Sequence, residues 1–159
     1  MAKGAFRRWL YRAQRPNWIA RLLNRVDAAV GTVGIASRTG LVTLEVTGRR
    51  SGRAISVPLV LVFVDGQRYL VSMLGDDVHW VQNVRAAGGR AALRTGGRRE
   101  EVHLTEIPTD RRAPILKAYL RRAPGARAHV SVDKDAPLSE FERIAPSYPV
   151  FIVAGPPSK

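Results

Sequence analysis

The chain has 159 residues, 45% hydrophobic and 25% charged, with 26 Lys+Arg against 13 Asp+Glu. That length suits one domain with a sizeable core, and the composition is globular rather than disordered. The absence of cysteine excludes disulfides, thiolate metal centres, iron–sulfur clusters and a cysteine nucleophile, and it fits a reducing compartment.

The first 38 residues carry eight bases and the single acid Asp27, so more than half of the net charge of +13 sits there. Phe6, Trp9, Leu10 and Ala13 fall at helical spacing before Pro16 interrupts. Asn17 is placed to cap a second helix with Ile19, Leu22, Leu23, Val26 and Val30 on one face. An Arg-rich amphipathic segment bearing Trp9, Tyr11 and Trp18 suits an anionic membrane surface. The same stripe also suits packing on the domain's own core, and both readings stay open. No apolar run approaches the roughly 20 residues of a spanning helix, and the Arg-studded start is unlike a signal peptide.

From residue 41 the period changes to two. Leu41 to Thr47 alternates as a strand, and Gly48-Arg49-Arg50-Ser51-Gly52-Arg53 is a glycine-bounded basic loop. Ile55 to Val64 is a β-branched run, Asp65-Gly66 a hairpin turn, and Arg68 to Met73 the returning strand. A helix is predicted over Val78 to Ala87, capped by Asp76 or Asp77 and stopped by Gly88-Gly89. A second hairpin joins Arg90–Thr95 to Arg98–Ile107 through Gly96-Gly97. Thr109 is expected to cap a helix running to Arg122; after the loop-like Pro124 to Pro137 come a short helix, Leu138 to Ile144, and a last strand, Tyr148 to Val153. Hairpins with interspersed helices and no repeated βαβ unit argue for an α+β sheet or small barrel of mainly antiparallel strands.

The loop at 48–53 is the stretch best suited to chemistry. Its glycines would let successive amides turn inward toward an anion, and Arg50, Arg53 and the Ser51 hydroxyl add donors suited to phosphate or carboxylate. The alternative is a solvated turn. It is neither a Walker loop nor a dinucleotide fingerprint. Trp80 and Asn83, three apart on the middle helix, pair an indole with a carboxamide, which suits a heteroaromatic ring with amide edges. Trp80 is equally suited to the core. Ser51 has no evident His/Asp pair and no GxSxG occurs, so no side-chain nucleophile is expected. His79, His103 and His129 show no metal spacing, so no metal site is expected either.

Val46-Thr47-Gly48-Arg49-Arg50-Ser51-Gly52-Arg53, then Val57-Pro58-Leu59, the Asp65-Gly66 turn, and Trp80-Val81-Gln82-Asn83-Val84-Arg85-Ala86 before a basic strand together resemble the deazaflavin-dependent nitroreductase family. These are the F420H2-dependent quinone reductase-like proteins of actinobacteria. The resemblance spans roughly residues 36–155, with residues 1–35 as a separate basic amphipathic helical segment and 156–159 as a tail. It implies a flavin-reductase-like split β-barrel with flanking helices, and coenzyme F420, a deazaflavin with a phospholactyl-oligoglutamate tail. By that resemblance Arg49, Arg50, Ser51 and Gly52 hold the tail, Val57, Pro58 and Leu59 line the deazaflavin, and Trp80 and Asn83 lie near the ring. The implied activity is hydride transfer from the reduced deazaflavin to a quinone-like, nitroaromatic or activated-alkene acceptor. The hydride chemistry then belongs to the cofactor and not to a catalytic side chain. The residues that bind the acceptor are unknown, with Tyr119 and His129 as candidates.

A cytoplasmic protein is expected, with contact of residues 1–30 with the inner membrane face as one of the two open readings of that segment and a homodimer as one assembly. An FMN- or haem-binding reductase on the same barrel is the enzyme alternative, and a basic lipid- or nucleic-acid-binding module the non-enzyme one. Nucleic acid is not expected as a partner, because aromatics make up only 7% of the chain and do not interleave with the bases.

Overall fold

The computed structural model describes residues 40–156. The predicted N-terminal helices, and with them the membrane-facing reading of residues 1–30, lie outside these residues. Six strands close into an antiparallel barrel: β1 Leu41–Thr47, β2 Ala54–Val64, β3 Gln67–Val71, β4 Arg90–Thr95, β5 Arg98–Glu106 and β6 Val150–Ala154, in the order β1-β2-β3-β6-β5-β4. Among the described residues three α-helices accompany them: α1 His79–Ala86, α2 Ala113–Arg122 and α3 Leu138–Ile144. The flavin-reductase-like barrel implied by the resemblance is the architecture found.

The apolar run Val57–Val64 of β2 reflects cover on both faces of the sheet around Leu61 and Val62, although Phe63 stays exposed. Leu61, paired with Leu70, belongs to the cluster inside the barrel, with Val42, Leu44, Val46, Leu93, Val102, Leu104, Phe151 and Val153. Val62 faces the other way and joins Val71 and Val150 beneath α2 and α3, among Ile115, Leu116, Leu120, Phe141 and Ile144. Helix α1 supplies Trp80, Val81 and Val84 to the inner cluster, so it packs against the barrel interior rather than its outer wall. The two-residue turn between β2 and β3 has Asp65 at φ 49° and Gly66 at φ 74°, the left-handed pair that matches the twist of an antiparallel hairpin.

Element boundaries depart from the sequence expectations where tertiary partners intervene. Helix α1 starts at His79, its N-cap is Val78, and no side chain caps it. The Asp76 carboxylate is taken by the Arg85 guanidinium at 2.7 Å. Thr109 does not cap α2: Thr109–Arg111 forms a separate 3-10 turn, and α2 begins at Ala113 with Pro114 in its first turn, where no N–H is needed. Strand β3 ends at Val71 and not Met73. Strand β6 begins at Val150 and not Tyr148, because the Tyr148 and Pro149 carbonyls accept from Arg112 and from the Ser72 N–H instead.

Candidate functional site

The β1–β2 loop, the β3–α1 connection and α1 lie at one end of the barrel, a consequence of the antiparallel strand order. The loop closes on itself: the Gly48 N–H donates to the Arg53 carbonyl at 2.8 Å, the Gly52 N–H to the Gly48 carbonyl at 2.8 Å, and the Arg53 N–H to Ser51 Oγ at 3.3 Å. Gly52 sits at φ +66°, a conformation other residues resist. Arg49 turns toward α1 and donates twice to Asn83 Oδ1, from its backbone N–H at 3.1 Å and from Nη1 at 2.9 Å.

Those bonds change the reading of the loop. The amides of Gly48, Arg49, Gly52 and Arg53 are already committed, so they do not form the inward-facing anion cradle the glycine spacing suggested. Among the described residues only the Arg50 and Ser51 amides of this loop lack an acceptor, and neither the Arg50 nor the Arg53 guanidinium has a hydrogen-bond or ion-pair partner. Both side chains are exposed. Two free guanidiniums on a fixed turn fit an anionic tail with several carboxylates or a phosphodiester, which Arg binds by charge-assisted, often bidentate hydrogen bonds.

Val57 and Leu59 are half-buried and pack on the inner cluster. Pro58 falls between them, opposite Thr43, so alternation turns it to the other face. A ring lying on Val57 and Leu59 is therefore not also covered by the Pro58 side chain. Trp80 is only 7% exposed and packs on Phe151, the ring centroids 5.5 Å apart. What a ligand can reach of the indole is a narrow part. Asn83, one turn further along α1, is 2% exposed.

A network not singled out in the sequence secures α1 from its other side. Ser72 Oγ donates to the Gly75 carbonyl at 2.6 Å, and Gln82 Nε2 to the Asp76 carbonyl at 3.1 Å. Arg85 joins Asp76 to Glu106, with Nε and Nη2 reaching the Glu106 carboxylate at 3.0 and 2.9 Å. Hydrogen bonds from Asp76 and then Glu106 raise the Arg85 pKa, and the Arg85 bond holds the Asp76 carboxyl below its usual range. Glu106 also accepts from the buried Arg112 at 3.1 Å. The one sequence signal was Glu106 itself, an acid continuing the inward-facing alternation of Val102 and Leu104. Asp76 and Arg85, nine positions apart, carry no local signature.

Tyr119 and His129 are not brought to this end of the inner cluster. Tyr119 lies in the outer cluster and lines a small apolar cavity with Met73, Leu116, Phe141, Ile144 and Tyr148, and burial pushes its phenol pKa up. His129 is half-buried, and its carbonyl accepts from the Tyr148 hydroxyl at 3.5 Å.

The sequence profile of the family described as F420H(2)-dependent quinone reductase matches residues 18–139. Among solved structures, one described as an F420-H2 dependent reductase is 23% identical, aligned over 72% of this chain and 94% of its own, with a TM-score of 0.49. A domain-swapped dimer is also 23% identical, with 87% and 98% covered and a TM-score of 0.53. A protein of unknown function from Agrobacterium tumefaciens is 13% identical, with 79% and 54% covered and a TM-score of 0.55. No curated protein matches. The family match favours the deazaflavin over FMN as the cofactor. Its matched segment takes in the basic loop, Trp80 and Asn83, and the chain belongs to the F420H2-dependent quinone reductase family: it is an oxidoreductase whose cofactor is coenzyme F420.

Proposed function

We propose that this protein reduces a quinone-like acceptor, with nitroaromatics and activated alkenes as further substrates of the same site, and that the β1–β2 loop holds the coenzyme by its tail. The carrying observation is that, among the described residues, the Arg50 and Arg53 guanidiniums have no partner, on a loop whose Gly48, Arg49, Gly52 and Arg53 amides are satisfied within the protein. Arg49, Ser51 and Gly52 give that loop its shape. Val57 and Leu59, which pack on the same inner cluster as Trp80, offer the apolar wall for the ring.

When bound, the reduced deazaflavin supplies the hydride. The chain's own part is to fix the tail, seat the ring against apolar side chains and keep water from the transfer. Titration of the protein with F420, followed by the coenzyme's fluorescence, tests the assignment. Arg50→Ala should weaken binding by about 1.5–3 kcal/mol, the scale of charge-assisted hydrogen bonds. An unchanged dissociation constant would make Arg50 a solvated turn residue. Steady-state oxidation of F420H2 by a soluble quinone and by a nitroaromatic then ranks the acceptors.

The similar structure described as a domain-swapped dimer supports a homodimer of this chain as part of the same proposal. Light scattering of the purified protein decides it: a mass of twice 17.5 kDa supports the dimer and a monomer mass removes it.

A further inference from the structure

The carboxamide of Asn83 lies inside the protein, 2% exposed, and two N–H donors of Arg49 converge on one of its atoms. Only the oxygen can accept both, which fixes the orientation of the amide. Arg49 is thereby held at its backbone and at its guanidinium, whereas Arg50 and Arg53 are held at neither guanidinium by any described residue. From these contacts we infer that Asn83 is a positioning residue. Its oxygen ties Arg49, and with it the 48–53 loop, to α1, and leaves Arg50 and Arg53 as the charges that meet the ligand.

This rests on the reading that the loop holds the coenzyme tail, and it assigns Asn83 a different task from contact with the ring. A neutral acceptor suits that task. It satisfies two donors without cancelling the charge of the loop, and it is buried on a helix that Trp80 anchors inside the barrel. Without it the Arg49 N–H loses its partner, and the guanidinium is free to swing across the space the tail needs.

The test uses the full chain, coenzyme F420 as probe, and two readouts. In Asn83→Leu the Kd for F420 should rise about tenfold, the loss of one charge-assisted bond. Hydrogen exchange at the Arg49 amide, measured without coenzyme, should accelerate. Asn83→Asp keeps an oxygen for both Arg49 donors but cancels one positive charge of the loop, so its Arg49 amide should stay protected while its Kd for the anionic coenzyme rises. An Asn83→Leu variant with unchanged Kd would overturn the inference. So would an Asn83→Asp variant whose Arg49 amide exchanges as fast as that of Asn83→Leu, because an oxygen at this position would then not be what holds Arg49. Should the buried carboxylate of Asn83→Asp prevent folding, Arg49→Met decides together with Arg49 exchange in Asn83→Leu: both the Kd of the former and the exchange rate of the latter must rise, and a failure of either overturns the inference. Arg50→Ala separates the two levels. If its Kd is unchanged, the loop is not the tail site, whereas the exchange result, taken without coenzyme, still reports whether Asn83 holds Arg49.

Discussion

Trp80 of α1 packs on Phe151 of β6 with ring centroids 5.5 Å apart and planes inclined by 56°, the tilted arrangement that aromatic pairs favour. This contact places the helix against the barrel interior, and the helix in turn receives the basic loop through Asn83 and the β3–α1 connection through Gln82 and Arg85. The Trp80 side chain is therefore first a packing element. The geometry of the site depends on it more than any stacking on its narrow exposed part would suggest.

Trp80→Ala should destabilise the fold by about 3–5 kcal/mol, the range for truncating a buried aromatic. Trp80→Phe should retain most of the stability. Urea denaturation of the two variants checks this, and equal midpoints for parent and Trp80→Ala would show that α1 is not anchored by the indole.

Arg112 is 7% exposed and donates to the Ile107, Ala145 and Tyr148 carbonyls and to the Glu106 carboxylate. Arg112→Met leaves the Ile107 and Tyr148 carbonyls without this donor, while Glu106 keeps Arg85 and the Ala145 carbonyl keeps the Tyr148 N–H, and should cost about 2–4 kcal/mol. Urea denaturation is again the measurement, and a loss below about 1 kcal/mol would mean that water or a shifted neighbour replaces the guanidinium.

Gly48 and Gly52 should differ under substitution. A Cβ on Gly48 would stand 2.7 Å from Ser51 Oγ and from Ile55 Cδ1, displacing the hydroxyl that accepts the Arg53 N–H. Gly48→Ala should weaken F420 binding and lower the melting temperature only modestly, since the two nearest atoms are side-chain ends that can move while the Arg53 carbonyl, 3.3 Å from the new Cβ, is backbone. A Cβ on Gly52 meets nothing, and Gly52→Ala should carry only the backbone cost of about 1–2 kcal/mol for φ +66°. Titration beside thermal melting distinguishes the two, and tight binding by Gly48→Ala would show that the Ser51 contact does not matter.

Arg68 and Glu100 pair in bidentate fashion at 2.8 and 2.9 Å, and the Arg68 hydrogen bond holds the Glu100 carboxyl below its ordinary value of 4.5. A carboxylate depressed on folding contributes stability above its unfolded value, and that contribution is lost as pH falls through the folded one. The Glu100 side chain is about half exposed, so the contribution should stay below about 1 kcal/mol. Urea midpoints at about pH 7 and about pH 3 should fall less in Glu100→Gln than in the parent. An identical fall would place the acid sensitivity elsewhere.

Much of this fold could be read from alternation and turns. The period-two pattern of β1, the β-branched run of β2 and the Asp65-Gly66 turn reappear within a residue of their expected limits, because each is set by local chemistry. The double-sided cover of β2 around Leu61 and Val62 needed the barrel to become visible, since an apolar run points to cover on both faces but not to what supplies it. Capping departs from the expectation at Asp76, whose carboxylate goes to Arg85 instead of the helix start, and at Thr109, where a 3-10 turn precedes the helix. In the site, the loop and the α1 residues were legible as separate stretches. The bond between Arg49 and Asn83, 34 positions apart, was not, and neither was its consequence that most loop amides are already committed. Nothing in the spacing of Tyr119 and Trp80 shows that they belong to different clusters.

The most direct measurement compares two ligands on two proteins: coenzyme F420 and the same deazaflavin lacking its phospholactyl-oligoglutamate tail, titrated into the parent and into Arg50→Ala. If the basic loop grips the tail, the parent prefers the tailed coenzyme by tenfold or more, on the order of one or two charge-assisted bonds, and Arg50→Ala loses most of that preference while binding the tailless ring as before. A preference that survives intact in Arg50→Ala would place the tail elsewhere on the molecule and contradict the site described above.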